Sequence, residues 1–189
     1  MTTGAVGRMD ERQRKTRCAL HEALGRLVNR MDYADIGVSL LAQEAGVGRP
    51  TFYRHYAGVD ALLVDRLRED LDRQREWAAR LVASDIPLRE AHLAVSRYAL
   101  ELIATQPRLY HALLNGSAGT NAVTLFKDQI ARLPTMAPYL AQADRAGSAG
   151  LAVGVIAGAV SGFLLAWIES GLTPPPARAA ELMVDFLRL

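Results

Sequence analysis

The residues Arg49 to His55 read RPTFYRH, and five of them, Arg49, Thr51, Tyr53, Arg54 and His55, carry side chains suited to a DNA groove. An arginine bonds a guanine edge through two parallel donors, a threonine methyl meets the methyl of thymine, and tyrosine or histidine donates to phosphate. Catalytic arrangements are weaker. The stretch HEALG at His21 lacks the second histidine of a zinc-protease helix, and the serine of GAVSG stands one place away from that of a nucleophile elbow. His92 and His111 fall in different predicted helices without carboxylate spacing for a metal, so each reads as a pocket or surface histidine. No loop of phosphate-cradling type is found. Accordingly no catalytic residue, metal ligand or cofactor is assigned, and the chain is not read as an enzyme.

A helix that reads DNA must be held rigidly by its neighbours. In VSLLAQEAGVGRPTFYRHY, Val38 to Tyr56, Ala42 is small enough for two helices to approach, and Gly46 tolerates the positive φ of a tight turn. Val38, Leu41, Ala45, Val47 and Phe52 fall where both helices lock onto a third. The second helix begins near Gly48, with Pro50 in its opening turn, where a missing N–H costs nothing. The third helix is predicted from Glu11 to about Met31, on the recurrence of Leu20, Ala23, Leu24, Leu27, Val28 and Met31. The basic run RMDERQRKTR opens it, either as a solvated helix start or as an arm on phosphate. Cys18, the single cysteine, reads as a small core side chain in a chain without an internal disulfide.

Beyond this unit a long helix is predicted from about Asp60 to Ser84, with Leu63, Leu67, Leu71, Ala78 and Leu81 on one side. Charge pairs four apart, Arg66 with Asp70 and Glu69 with Arg73, mark its other side as solvent-facing. Five more helices follow, making about nine, with no strand pattern: an all-α protein with a seam near Asp60. The expected division is a disordered lead at 1–10, a helix-turn-helix unit at 11–58, and a helical bundle at 59–189. Half of the 189 residues are apolar and the net charge is +2, a globular profile that does not by itself argue for nucleic acid. The first residues do not form a signal peptide, so a cytoplasmic protein is expected.

One stretch competes for a different meaning. Between Ala146 and Ile168 no ionisable side chain occurs, and Gly150, Gly154, Gly158 and Gly162 repeat every four residues. Length and apolarity suit a membrane span, and the glycines suit close helix packing. The flanks, Asp144 and Arg145 on one side and Glu169 on the other, carry no orientation signal. The segment is therefore read as a helix buried between its own bundle and a twin, with the four glycines, Leu151 and Val155 at a homodimer interface and no membrane partner.

Residues Tyr33 to Leu63, YADIGVSLLAQEAGVGRPTFYRHYAGVDALL, resemble the DNA-binding domain of the tetracycline-repressor (TetR) family, and SGFLLAWIESG with a terminal helix is similar to the C-terminal end of many members. The resemblance implies three N-terminal helices that bind double-stranded operator DNA, recognition by Arg49 to His55, and a C-terminal bundle that dimerises and holds a small-molecule effector. Members commonly have threonine or serine where this chain has Gly37, and lysine where it has Val59, both on phosphate. Ser39 and the basic Arg12, Arg14 and Lys15 are therefore assigned part of the phosphate grip. Trp77, His92, Tyr98, Tyr110, His111, Phe126 and Trp167 are the candidates to line the effector pocket. The reading is a ligand-responsive repressor, homodimeric on a palindromic operator. Its alternatives are a membrane-anchored regulator using Gly150 to Ile168 and an all-α enzyme.

Overall fold

A computed structural model describes residues 3–119 and 121–188, with side chains from residue 11 onward. Its helices are α1 (Thr3–Val28), α2 (Val38–Glu44), α3 (Arg49–His55), α4 (Val59–Ala83), α5 (Leu88–Thr105), α6 (Pro107–Leu114), α7 (Ala122–Arg132), α8 (Ala137–Arg145), α9 (Ala149–Glu169) and α10 (Pro176–Leu187). Among the described residues there is no strand, and the all-α class stands. The tenth helix, beyond the nine expected, is α8. Pro134 opens a short 3-10 turn and Pro138 sits in the first turn of α8, where proline is tolerated, so the two prolines do not prevent this helix. Helix α1 already begins at Thr3, so the lead expected to be unstructured belongs to it from that residue on; Met1 and Thr2 lie outside the described residues. Thr120 is also outside them, and α7 is capped by the Asn121 side chain, which accepts from the Thr124 amide.

The stripe of α1 is buried as its spacing demands: Leu20, Ala23, Leu24, Leu27 and Val28 face inward, and Leu41, Ala42 and Phe52 close over them from α2 and α3. Phe52 is fully buried, and burying a ring of that size stabilises by about 1.5–3 kcal/mol. Cys18, by contrast, is exposed. It stands two residues before Leu20, about 200° around the helix from the buried stripe, so its expected place in the core is corrected.

Helix α4 crosses the expected seam. Leu62, Leu63 and Leu67 are buried near its start and Ala78 further along, and a single apolar cluster runs from Leu20 of α1 to Ala180 of α10. Behind α4, α10 packs on α5 and α9, while α9 also touches α6, α7 and α8. The charge pairs of α4 differ from expectation. Arg66 does bond Asp70, at 2.5 Å, but Asp70 is only 2% exposed, and Arg73 turns to Asp70 as well. Glu69 binds Arg17 of α1 at 2.7 Å instead of Arg73. Asp70 thus lies inside the fold, while Glu69 stays half-exposed beside a side of α4 that carries exposed Arg68, Asp72, Glu76 and Arg80.

The meeting point of α1, α3 and α4 is polar and largely enclosed. Asp65 accepts from Tyr56 Oη at 2.6 Å and from Arg17 Nε at 2.7 Å, and His21 Nε2 lies 3.1 Å away. Burial alone would raise the Asp65 carboxyl, but the Tyr56 and Arg17 bonds outweigh it and hold it below its usual range. Burial likewise pushes His21 down, against the pull of Glu69 and Asp65, and keeps the ring neutral near pH 7.

Replacing Tyr56 with Phe keeps the ring and removes one bond to a charged acceptor. Urea unfolding at fixed protein concentration should lose about 1.5 kcal/mol. An unchanged midpoint with an unchanged slope refutes this account of the junction.

Candidate functional site

Helix α2 ends in a turn whose bonds explain its glycine. The Val47 amide donates to the Ala42 carbonyl at 2.9 Å and the Gly46 amide to Gln43 at 3.1 Å, the paired bonds of a left-handed helix stop. Gly46 has φ +67°, which a side-chain-bearing residue adopts only with strain. This turn swings α3 across α2, and Arg26 fixes the corner by binding Glu44 through side chain and carbonyl, with Arg30 joining at 2.7 Å.

On the face of α3 away from Phe52, Arg49, Pro50, Tyr53 and Arg54 are exposed, Tyr53 by 51%. Gly48, at the cap, is exposed too, whereas Thr51 and His55 are half-buried. Burial and the neighbouring Arg54 push His55 down, so near pH 7 it offers a neutral ring for hydrogen bonding and no second cation. Ser39 is exposed in the first turn of α2. The cap before it, Gly37, has an extended backbone that does not require glycine, and a Cβ there would meet nothing within 4 Å. Val59 is half-buried and packs against the core at the start of α4.

Arg12, Arg14 and Lys15 are exposed on α1, so the arm is a helix and not an extended tail. Lys15 also sits 2.8 Å from Glu11, a pair exposed enough to be surrendered to a phosphate at little cost.

The second feature is a cavity of about 80 Å³ enclosed by α4, α5, α6, α7, α9 and α10. His92, Tyr98, Tyr110 and Phe126 line it. The other three candidates do not. Trp77 lies in a separate shallow groove beside Arg97 and Glu181, and Arg80 rests over its ring. His111 faces a groove between α6 and the end of α1, bonded to Asn115 at 3.2 Å and near Glu169 at 3.6 Å. Trp167 is buried and donates its ring N–H to Pro174. Their expected place in the pocket is corrected: His111 and Trp167 spend their polar atoms on local partners, and Trp77 packs its ring under Arg80 outside the cavity.

Asp70, Gln74 and Gln129 line the cavity without having been foreseen. Asp70 stands seven residues after Leu63 and three after Leu67, inside the apolar stripe of α4, and that position is the signal that marks it as inward-facing. Tyr110 donates to it at 2.8 Å, and burial together with Asp70 pushes the phenol up. His92 is 2% exposed, with its Nε2 unpartnered among the described residues. Burial pushes it down to about 4, partly opposed by the Thr135 backbone.

The third feature is α9. Ala157, Ser161, Leu164 and Trp167 turn inward, whereas Leu151 is 76% and Val155 72% exposed, with Gly158 and Gly162 open beside them. A Cβ on Gly158 or Gly162 would meet nothing within 4 Å, but one on Gly154 would lie 3.6 Å from Lys127 of α7. Gly150 is equally open, so three of the four glycines stand free of their own chain, while the repeat drifts about 40° per step around the helix. Phe186 of α10, 71% exposed, packs edge-on against Phe163 and extends the open apolar face. Helix α9 is long and apolar enough to cross a bilayer, with a mean hydropathy of 2.2.

No protein-family model matches the chain. Among solved structures it is similar to the TetR-family repressor FadR of Thermus thermophilus in complex with lauroyl-CoA, at 20% identity and TM-score 0.66, over 90% of this chain and 92% of that one. It is similar to the regulator FadR of Bacillus subtilis in complex with stearoyl-CoA, at 14% identity and TM-score 0.62, over 90% and 96%. RolR in complex with resorcinol aligns at 16% identity and TM-score 0.57, over 93% and 89%.

The depressed His92 carries a pH signature. Its folded form is neutral, so its contribution to stability is whole above the unfolded value near 6.5 and is lost as pH falls toward 4, by up to about 3 kcal/mol. Urea unfolding from pH 7 to pH 4 should show that loss in the native chain and a loss smaller by this amount in His92→Gln. Equal acid losses in the two proteins contradict the burial argument.

Proposed function

We propose that this chain, whose fold is that of the TetR-family transcriptional regulators, is itself such a regulator: a homodimer that represses from a palindromic operator and releases it when a small molecule fills the bundle cavity. The observation that carries the reading is a helix-turn-helix whose glycine stop, buried Phe52 and exposed Arg49, Tyr53 and Arg54 together make a rigid, groove-sized reading head. Two such heads enter successive major grooves about 34 Å apart on one face of the duplex. Ser39 and the α1 residues Arg12, Arg14 and Lys15 take backbone phosphates, in place of the contacts that Gly37 and Val59 cannot make.

The open face of α9 and α10 supports the homodimer. Leu151, Val155 and Phe186 stand in water in the single chain, and a self-complementary pairing removes them from it. The inward half of the same helix packs on α6, α7, α8 and α10, contacts that a membrane-spanning segment would forfeit. Small molecules bound in similar structures support an effector here, of whatever chemistry. Coupling is short: α4 contributes Asp65 to the DNA-binding junction and Asp70 to the cavity, five residues or about 7.5 Å along one axis. A ligand that favours one setting of α4 shifts the spacing of the two α3 helices, and only such differential binding can release DNA.

Selection from random duplexes should return an inverted repeat. Arg49→Ala or Arg54→Ala should each cost about 1–3 kcal/mol on it and relax the preference at one base pair per half-site, whereas neutralising Arg12, Arg14 and Lys15 together should flatten the slope of affinity against salt. A chain without sequence preference at low salt removes the regulator, and an unchanged slope removes the α1 residues. For the dimer, Gly158→Leu has room within its own chain and should turn a dimer into a folded monomer in sedimentation. A dimeric variant places the interface elsewhere.

A further inference from the structure

Most polar groups around the cavity are committed. Asp70 is held by Arg66, Arg73 and Tyr110, and Gln129 donates to Gln74 at 2.8 Å and to the Leu71 carbonyl at 3.2 Å while accepting from Arg75. Arg75 is further tied to Asp72. Asp70, the charged residue of the lining, is already paired with two arginines and so is not free to meet a charge on a ligand. What remains is a wall of Leu71, Val95, Ile103, Phe126, Ile130 and Leu133 with the hydroxyls of Ser96 and Tyr98, and at its edge a buried ring nitrogen that has no partner among the described residues: Nε2 of His92, a side chain 98% enclosed. A buried ring nitrogen without a bond costs about 1–3 kcal/mol, a debt that a protein carries only where something repays it.

We propose that the cavity takes a small, uncharged, largely apolar molecule bearing a hydroxyl group, and that His92 Nε2 is the atom that meets the hydroxyl. This rests on reading the cavity as the effector site. The ring is neutral near pH 7, held so by its burial, and it does not call for an anion. A hydroxyl both donates and accepts, so it satisfies Nε2 in either tautomer of the imidazole. Tyr139 stands edge-on to the ring at 5.5 Å and keeps it oriented. Size points the same way. A volume of about 80 Å³ is smaller than the roughly 150 Å³ that takes up a benzene ring, so a single ring fills it only with some give of the surrounding side chains and a long chain does not fit.

Calorimetric titration of the full-length, DNA-free protein with phenol and with toluene tests this, since the two share a ring and differ in the hydroxyl. Phenol should bind at one site per chain at least about tenfold tighter than toluene. His92→Leu should abolish that preference without weakening toluene, and His92→Gln, which still hydrogen-bonds, should retain part of it. If His92→Leu fails to fold, a shift of the His92 ring-nitrogen resonance caused by phenol and not by toluene makes the same test in the native chain. Equal affinities, no binding of either probe, saturation by lauroyl-CoA but not by phenol, or a preference that survives His92→Leu each overturns the proposal. Because the titration contains no DNA, phenol preference in a chain without an operator leaves this inference standing and removes the regulator.

Discussion

Asp65 is the residue on which the rest of the molecule leans. It receives Tyr56 from the end of α3, Arg17 from α1, and lies beside His21, while its own helix continues into the bundle. A carboxylate so placed is useful only if its bonds outweigh the cost of taking it out of water, and its depressed protonation shows that they do. Tyr56 closes α3, so the orientation of the reading head is set by the same bond that ties it to α4. Packing gives the helix-turn-helix unit its stability; this polar knot gives it a direction.

From that knot the architecture follows a single logic. Helix α4 is shared, with Leu62, Leu63 and Leu67 completing the core of the first three helices and Asp70, Leu71 and Gln74 forming one wall of the cavity. Apolar packing is continuous across the seam, so the two halves cannot reorient as loosely tethered bodies. A change at one end of α4 must be accommodated at the other. Arg108 of α6 adds a second tie, bonding the Asn29 carbonyl at 2.9 Å near the end of α1.

What was legible in the chain, and what was not, divides along the range of the interactions concerned. Gly46, Ala42 and Phe52 announce the helix-turn-helix because turn geometry and helix contact are decided within a few residues. The pairing of Arg66 with Asp70 was equally visible, and the place of Asp70 in the apolar stripe of α4 hints at its burial, but its partner Tyr110, forty residues away on α6, was not legible. Glu69 went to Arg17 for the same reason. Four of the aromatic and histidine candidates meet around one cavity, whereas Trp77, His111 and Trp167 do not; residue type cannot distinguish a wall from a neighbouring groove. The glycine repeat was legible as spacing, but not which of its members meets its own chain: Gly154 lies against Lys127 of α7, while Gly150, Gly158 and Gly162 meet nothing within 4 Å.

The exposure of Cys18 has a practical side. It is the sole sulfhydryl of the chain and stands in open water on a helix whose far side is clamped into the first core. A nitroxide or fluorophore attached there rides on a stiff support next to the reading head without any engineered mutation. In the proposed homodimer two such labels form a built-in ruler, so the separation of the two helix-turn-helix units becomes a directly readable length.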